Sequence, residues 1–260
     1  MIEISKKITT NVGRTNAQFG LIKENDRIMI GFSGGKDSLT LLHTLNRMQK
    51  KAPFKFDFKA VTITYGMGEQ IEFLSNHCKE HGIEHEIIDT QIFDLAGEKI
   101  RKNSSFCSFF SRMRRGYLYT TALEQGYNKI ALGHHLDDAM ESYFMNLFYN
   151  GTMRTMPPIY KANNGLEVIR PLIFCRERQL RAFADSNEIR VIGDEACPGL
   201  RFDVKMPHAR ATTKELLAKL EEQNPKIFVS MKAAFSNIQL PTFFYNNLKD
   251  INLNIKDENI

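Results

Sequence analysis

The sequence predicts an α/β protein with a doubly wound parallel sheet, preceded by one helix and followed by a small helical part. One observation behind this prediction is that short apolar runs, typical of buried strands, alternate with segments whose apolar residues recur at helical spacing. A second is a pair of glycines between the first apolar run and the helical segment that follows it. Strands that alternate with helices pair in parallel and are covered on both faces.

The expected elements follow in order along the chain. Apolar residues at helical spacing predict an amphipathic helix within 4–22. The expected strands occupy 27–32, 58–64, 84–89, 129–133 and 166–169. Helices are expected from 39, across 69–81 and from 117, and two more across 211–237 with a break near Pro225. We divide the chain into a helix packed on the domain (1–24), the main α/β domain (25–200), a helical extension (201–240) and a polar tail (241–260).

Composition narrows the class of protein. Its 42% hydrophobic and 25% charged residues are an ordinary balance for a water-soluble protein, and no apolar run approaches the ~20 residues of a membrane span. We find no signal-peptide pattern after Met1, so we expect a cytoplasmic protein without membrane association. The four cysteines are too few and too scattered for a disulfide framework. The net charge of +5 permits an anionic partner.

The junction after the first strand has the composition of a phosphate-binding loop. It reads Ser33-Gly34-Gly35-Lys36-Asp37-Ser38. Adjacent glycines let the backbone approach an anion, the first-turn N–H groups of the next helix point at it, and the lysine and serines add donors. The common nucleotide loop does not fit, because Gly31 is one residue too close to Gly35 and Asp37 stands where a hydroxyl is needed. The alternative is an ordinary glycine turn.

The order of these six residues resembles the PP-loop of the ATP pyrophosphatases, whose domains are adenine nucleotide alpha hydrolase-like. The resemblance implies that ATP is bound with its β- and γ-phosphates as the leaving group, while a substrate oxygen attacks the α-phosphate. The segment 25–200 is then the ATP-binding domain.

A second motif, 133–142, reads Gly-His-His-Leu-Asp-Asp-Ala-Met-Glu-Ser and joins a strand to a helix. Acidic residues in a first turn are often only helix caps. Here the carboxyl ends of the strands bring this stretch to the phosphate loop, so we expect carboxylates to hold Mg²⁺ and histidines to donate to phosphate. The expected Mg²⁺ ligands are Asp37 and Asp138, with a catalytic role for Asp138. The other expected ATP contacts are Thr64, Gly133, His134 and His135.

A third stretch, 107–116, places a cysteine before a basic helix. The helix dipole and neighbouring arginines bias the pKa of the Cys107 thiol downward, which makes it a candidate nucleophile or metal ligand. Cys197 lies on a loop flanked by glycine and proline and is the second catalytic candidate. The alternative for Cys107 is a buried small residue beside a solvated basic face. The arginines expected to meet the phosphates of an anionic partner are Arg112, Arg114, Arg115, Arg170 and Arg201.

The chain resembles the tRNA 2-thiocytidine synthetase family over 4–240, within the group that includes tRNA-isoleucine lysidine synthetase. Besides the phosphate loop, the resemblance rests on 25–32, 111–116, 133–135, 156–158, 170–172 and 175–177. It implies that a base carbonyl in tRNA is adenylated with ATP and that sulfur then displaces AMP. It also implies a sulfur donor such as a cysteine desulfurase, and it suggests a homodimer.

One departure from the family concerns its [4Fe-4S] cluster. The resemblance implies a cluster held by three cysteines, but the pattern Cys-Ser-x-Cys-Ser-Arg aligns with 107–112 and gives Phe110 in place of the second cysteine. Cys107 and Cys197 remain as iron–sulfur ligands. Three interpretations stay open: a cluster with an unusual ligand, a cluster-free enzyme with these cysteines as a persulfide and resolving pair, or a relative that adenylates tRNA for another nucleophile.

Three functions of different kinds follow from these interpretations. A tRNA thiolase needs an essential cysteine, whereas a lysidine-type or amide-forming ligase needs none. A non-catalytic ATP sensor would bind nucleotide without releasing pyrophosphate.

Overall fold

We analysed a computed structural model, which describes residues 2–99, 106–193, 198 and 208–242. The chain divides into two compact units, Met1–Thr213 and Lys214–Ile260. The functional division at 200/201 expected from the sequence stays a prediction. No helix in the described part of the chain is long and apolar enough to span a bilayer.

A six-stranded sheet forms the centre of the first unit, in the order β3-β2-β1-β4-β6-β5. Its strands are β1 (Arg27–Gly31), β2 (Asp57–Ile63), β3 (His85–Ile88), β4 (Lys129–Ala131), β5 (Ile159–Lys161) and β6 (Glu167–Ile169). The neighbouring pairs are parallel except that β5 runs antiparallel to β6. The sequence analysis missed β5, because three residues at a sheet edge are too few to show a periodicity.

Helices precede and separate the strands. They are α1 (Lys6–Phe19), α2 (Lys36–Lys51), α3 (Glu72–Glu80), α4 (Ile92–Lys99), α5 (Phe106–Glu124), α6 (Leu136–Asn150) and α7 (Glu177–Ser186). Helix α8 (His208–Gln223) crosses the boundary between the units, and α9 (Ile227–Ala234) and a short 3-10 helix, Leu240–Thr242, belong to the second. Helix α1 is shorter than expected, since Ser5 caps its start and Gly20 ends it in a left-handed conformation.

The two faces of the sheet are covered by separate apolar layers, which confirms the doubly wound fold. Ile28 and Ile30 of β1 face one layer with α1, α2, α3 and α7, which we call the first layer. Met29 between them faces the second layer, formed with α4 and α5. Alternate residues of a strand point to opposite faces, so one strand supplies both cores.

A buried ion cluster ties the end of the α1 segment to the sheet. Lys129 is almost fully buried at the start of β4, and its Nζ lies 3.0 Å from Asp26 Oδ2 and 2.9 Å from Glu167 Oε2. The same ammonium donates to the carbonyl of Leu21 at 2.8 Å. Because all these partners are present, the cost of burying the charge is offset.

Candidate active site

The carboxyl ends of the central parallel strands border a cleft of about 790 Å³. The phosphate loop lines one side of it, and Thr64 with the loop that follows β2 lines another. The segment 190–193 also lines the cleft and contacts the phosphate loop, where Ile192 donates its N–H to the Gly34 carbonyl at 2.9 Å. The cleft is where ligands bind in open parallel sheets.

The phosphate loop is held in shape by its own backbone and hydroxyls. Gly34 has φ +77°, a left-handed conformation that favours glycine. Ser38 Oγ accepts from the Ser33 N–H at 3.2 Å and donates to the Gly35 carbonyl at 3.0 Å. Gly35 is the N-cap of α2, and no side-chain hydrogen bond is present at this cap in the described structure. The first-turn N–H groups are thereby left to bind an anion.

Gly133 brings the second motif against this loop. A Cβ at this position would lie 3.0 Å from the carbonyl carbon of Asp37 and 3.1 Å from the backbone nitrogen of Ser38. A side chain here would force the backbone at the start of α2 to shift, so glycine suits this close approach of the residue that follows β4. The convergence expected from the sequence is therefore present in the structure.

Lys36 is held between two carboxylates beside the loop. Its Nζ lies 3.4 Å from Asp37 Oδ2 and 3.2 Å from Glu177 Oε1. Burial lowers the pKa of Lys36, but the two carboxylates outweigh it and leave the pKa raised. The ammonium thus stays charged and is fixed beside the loop by these two carboxylates.

Asp37 is the one titratable residue of the loop with an unpaired buried atom among the described residues. Its Oδ1 is buried and accepts no hydrogen bond, although His135 Nε2 lies 3.8 Å away. Burial raises the pKa of Asp37, against the opposing influence of His135 and Lys36. A buried carboxylate oxygen without a hydrogen-bond donor is costly to leave unpaired, so Asp37 Oδ1 is suited to contact a divalent cation.

Asp138, unlike Asp37, has a partner for each of its two carboxylate oxygens. One oxygen, Oδ2, accepts from the His135 backbone N–H at 3.0 Å and completes a capping box at the start of α6. The other, Oδ1, lies 2.6 Å from a guanidinium nitrogen of Arg210. The same guanidinium donates to Glu141 Oε2 at 2.7 Å. Both oxygens of Asp138 therefore have hydrogen-bonding or ionic partners, and a Mg²⁺ contact would use a second lone pair of one of them.

Asp137, which the sequence analysis treated only as part of the motif, organises the turn before α7. It accepts from Arg176 Nε at 3.0 Å and from the Glu177 N–H at 2.7 Å. This turn presents Glu177 to Lys36. Sequence reasoning missed the pairing of Glu177 with Lys36, because no local spacing connects residues so far apart in the chain.

His134 lies away from Asp37, toward a group of tyrosines. Its Nδ1 accepts from Arg170 Nε at 3.3 Å, and Arg170 also packs over the ring of Tyr160. Burial and the adjacent Arg170 lower the pKa of His134 to about 4, so its imidazole is neutral at physiological pH. Tyr160 in turn shares a hydrogen bond of 2.9 Å with Tyr119.

The predicted tRNA-contacting arginines differ in exposure. Arg112 and Arg115 are exposed on α5, while Arg114 lines the cleft and donates to Tyr65 Oη at 2.8 Å. Arg170 is only 7% exposed and donates to the carbonyl of Pro157 at 2.6 Å. Its burial argues against direct contact with tRNA and favours a role in positioning His134. Arg201 lies outside the described residues.

The two cysteines predicted to carry sulfur are described only in part. Cys107 belongs to α5, but its side chain and all of Cys197 lie outside the described residues. Phe110, three residues after Cys107, is 3% exposed and packs against the rings of Tyr65, Phe93 and Phe109. The position of the missing cysteine is thus filled by a residue of the second-layer core.

The sequence also matches a known family. The model of the PP-loop domain family matches residues 4–205. The chain belongs to the PP-loop family. This PP-loop protein is 44% identical to the tRNA-cytidine(32) 2-sulfurtransferase of Geobacter metallireducens and 42% identical to the enzyme of the same name from Geobacter sulfurreducens. Each alignment covers 90% of both proteins.

The fold of this PP-loop protein also has a counterpart among solved structures. The U34-tRNA thiolase NcsA from Methanococcus maripaludis, solved with its [4Fe-4S] cluster, superposes with a TM-score of 0.70 at 23% identity. The likeness covers 89% of this chain and 77% of that one. At this identity it supports the fold.

Proposed function

We propose that this PP-loop protein is an ATP-dependent tRNA thiolase that converts a cytidine of tRNA to 2-thiocytidine. The relatives named tRNA-cytidine(32) 2-sulfurtransferase favour cytidine 32 as the substrate base. The structural observation that carries the proposal is the pairing of the open first turn of α2 with the unpaired Asp37 oxygen. An anion site and a cation site in contact are what a magnesium nucleotide requires. A tRNA substrate supports a cytoplasmic location for the proposed reaction.

In the activation step, the phosphate loop holds the β- and γ-phosphates of the substrate ATP through its N–H groups, Lys36 and the serine hydroxyls. The base carbonyl oxygen attacks the α-phosphorus, pyrophosphate leaves, and the base is adenylated. Lys36, fixed by Glu177, offsets the charge that develops on the leaving group. Asp37 Oδ1 is the proposed Mg²⁺ contact, and the ion would neutralise phosphate charge.

The second motif positions groups around this step. His135 is fixed by the capping box with Asp138 and faces Asp37, so it can donate to phosphate from a defined place. His134 is neutral and is oriented by Arg170. The exposed guanidinium groups of Arg112 and Arg115 are the proposed contacts of the tRNA backbone.

A three-thiolate iron–sulfur cluster does not fit the described residues. With Phe110 in the core, the third ligand would have to be Cys78 or Cys175, the other cysteines of the sequence. Both are fully buried in the first layer, on the face of the sheet opposite Phe110. Burial raises the pKa of each thiol to about 12, so neither is a thiolate at physiological pH.

We therefore assign the sulfur transfer to Cys107 and Cys197 as a persulfide and resolving pair. A donor of the cysteine desulfurase class places a sulfur on one thiol. The terminal persulfide sulfur attacks the adenylated carbon and AMP leaves. The second thiolate then attacks the inner sulfur, the S–S bond breaks with its electrons on the sulfur bound to the base, and a Cys–Cys disulfide forms. A thiol reductant must return this disulfide to two thiols.

The test of the function is a reconstituted reaction with tRNA, ATP, Mg²⁺, cysteine, a cysteine desulfurase and a thiol reductant. We expect AMP, pyrophosphate and 2-thiocytidine in equal amounts. AMP and pyrophosphate are measured in the reaction mixture, and 2-thiocytidine is measured by mass spectrometry of the digested tRNA. A matched tRNA with uridine at position 32 should yield no thionucleoside. AMP and pyrophosphate without thiolated product would instead indicate a nucleophile other than sulfur.

Iron and acid-labile sulfide in the anaerobically purified protein separate the two sulfur mechanisms. We expect no stoichiometric iron. About four irons per chain, with the broad visible absorption of a [4Fe-4S] cluster, would overturn the persulfide assignment and leave thiolation itself intact.

The homodimer suggested by the resemblance stays a prediction.

A further inference from the structure

Three histidines meet in the first layer, away from the phosphate loop. His43 lies on α2, His77 lies on α3, and His81 is the residue that ends α3. One ring nitrogen from each lies within 4.8 Å of the others, and the three ring centroids are 4.6 to 4.9 Å apart. The proposed reaction uses none of them.

The pair His43 and His77 faces nitrogen to nitrogen. Their Nε2 atoms are 2.7 Å apart, so one ring donates a proton to the lone pair of the other. Burial, with neighbouring His77 and His81, lowers the pKa of His43 to about 3, and burial also lowers the pKa of His77. Both rings are neutral at physiological pH, which is the form that ligates metal ions.

We propose that His43, His77 and His81 form a binding site for one divalent transition-metal ion of the zinc type. Three imidazole nitrogens are a common protein ligand set for this ion, with a fourth position open to water. Zn–N bonds of about 2.0–2.1 Å in a tetrahedral site put ligand nitrogens roughly 3.4 Å apart. The observed spacings of 2.7 Å for one pair and at most 4.8 Å overall bracket this value.

One of the three histidines borders a small surface cleft. His77 lines a small cleft of about 240 Å³ together with Glu80 and Arg190. The carboxylate of Glu80 acts favourably on a cation at His77, whereas Lys50 lies close enough to His43 to oppose it. When the ion binds, the proton between the two Nε2 atoms moves to the Nδ1 of the donor ring. No net proton release is then required.

Metal binding at this place would join the two helices that support the phosphate loop. Helix α2 begins at the loop itself, and Leu74 of α3 would lie within 3.0 Å of a Cβ on Gly34. An ion between His43 and the α3 histidines therefore restrains both sides of Gly34. We infer a structural role for the metal, separate from the Mg²⁺ that accompanies ATP.

The test uses the full chain without a polyhistidine tag, freed of metal with EDTA and titrated with Zn²⁺ in calorimetry. Co²⁺ serves as a probe, since tetrahedral Co²⁺ absorbs visibly. We expect one Zn²⁺ per chain, and at least a tenfold loss of affinity in His77→Phe and in His81→Ala. His81→Ala removes a partly exposed side chain, so it keeps the test open if His77→Phe does not fold.

Two controls distinguish this site from other zinc ligands in the chain. His85→Gln removes a nearby imidazole that bonds to Ser75 and Thr62 instead of to the cluster, and it should bind Zn²⁺ as the wild type does. The double variant Cys107→Ser/Cys197→Ser should also retain binding. No stoichiometric binding by the wild type, or equal loss in either control, overturns the proposal. These outcomes do not depend on thiolation activity.

Discussion

The phosphate loop and the start of α5 are both junctions where the family's chemistry is concentrated, but they are built differently. The loop binds through backbone N–H groups and residues adjacent in the chain, and every residue of its motif is present. The start of α5 depends on single side chains, and one of them is replaced by Phe110. Phe110 packs against three aromatic rings, so the residue that replaces the ligand adds packing contacts to the core.

The comparison teaches that a site made of backbone tolerates substitution better than a site made of ligands. Glycines and a helix start keep binding anions while neighbouring side chains change. A metal cluster loses a ligand when one thiolate-bearing residue is replaced by an apolar one. ATP activation and sulfur delivery can therefore diverge separately within one protein.

The largest expected effect is at the start of α5, whose function depends on single side chains. Cys107→Ser should abolish 2-thiocytidine formation, because a hydroxyl cannot carry persulfide sulfur, while pyrophosphate release persists. Nucleoside mass spectrometry and a pyrophosphate assay on the same reaction measure both. Cys78→Ala, at a buried thiol of the first layer, is the matched control and should keep thiolation. Unchanged thiolation in Cys107→Ser would remove Cys107 from the sulfur site.

In the phosphate loop, Lys36→Ala should lower tRNA-dependent pyrophosphate release by about 10²–10³-fold. Loss of the ammonium removes a charge held against the leaving group and leaves Glu177 without this partner. The control is Lys6→Ala, which removes an exposed lysine at the start of α1. Turnover of Lys36→Ala at the wild-type rate would contradict the assignment of the loop.

Phe110→Cys tests whether α5 lacks only one residue of a cluster-binding site. Removing the ring from the second-layer core should lower the free energy of unfolding by about 3 kcal/mol, measured by urea titration. It also restores Cys-x-x-Cys with Cys107, so we expect iron and sulfide uptake on anaerobic reconstitution.

The control for this experiment is Phe109→Cys, which adds a thiol one residue away and outside the pattern. Equal iron uptake by both variants would show that the uptake is unspecific. No uptake by Phe110→Cys would mean that α5 has lost more than one ligand.

The smallest expected effect is a dependence of stability on pH. Burial lowers the pKa of His43 to about 3 and the pKa values of His85 and His134 to about 4, whereas an unfolded histidine titrates near 6.5. Between pH 6.5 and 4 the unfolded chain binds more protons, so the free energy of unfolding falls as the pH is lowered. Each histidine contributes about 1.4 kcal/mol per pH unit at most.

Urea unfolding in EDTA at pH 7.5, 6 and 5 measures this dependence. His85→Gln should reduce the slope, because it removes one of the histidines whose pKa is lowered in the folded state. An identical slope in this variant would exclude His85 as a contributor.

Local order in the chain was sufficient to predict the fold class, membership of the PP-loop family, and the order of strands and helices except β5 and α4. Helix α5 also begins earlier than expected, so Cys107 lies within it and not before it. Hydrophobic periodicity, glycine pairs and cap residues act between neighbours, so the sequence expresses them directly. The same holds for the residues of the phosphate loop. Roles of individual site residues stay predictions, and the chemistry of Cys107 and Cys197 lies beyond the described side chains.

Tertiary structure alone decided which partners the charged groups have. Asp37 and Asp138 are equivalent candidates in the sequence, yet one keeps an unpaired oxygen and the other is bound by Arg210. The pairing of Lys36 with Glu177, the burial of Arg170 and the meeting of three histidines likewise join residues far apart in the chain. Such contacts depend on how the packed layers bring elements together, and no local pattern encodes them.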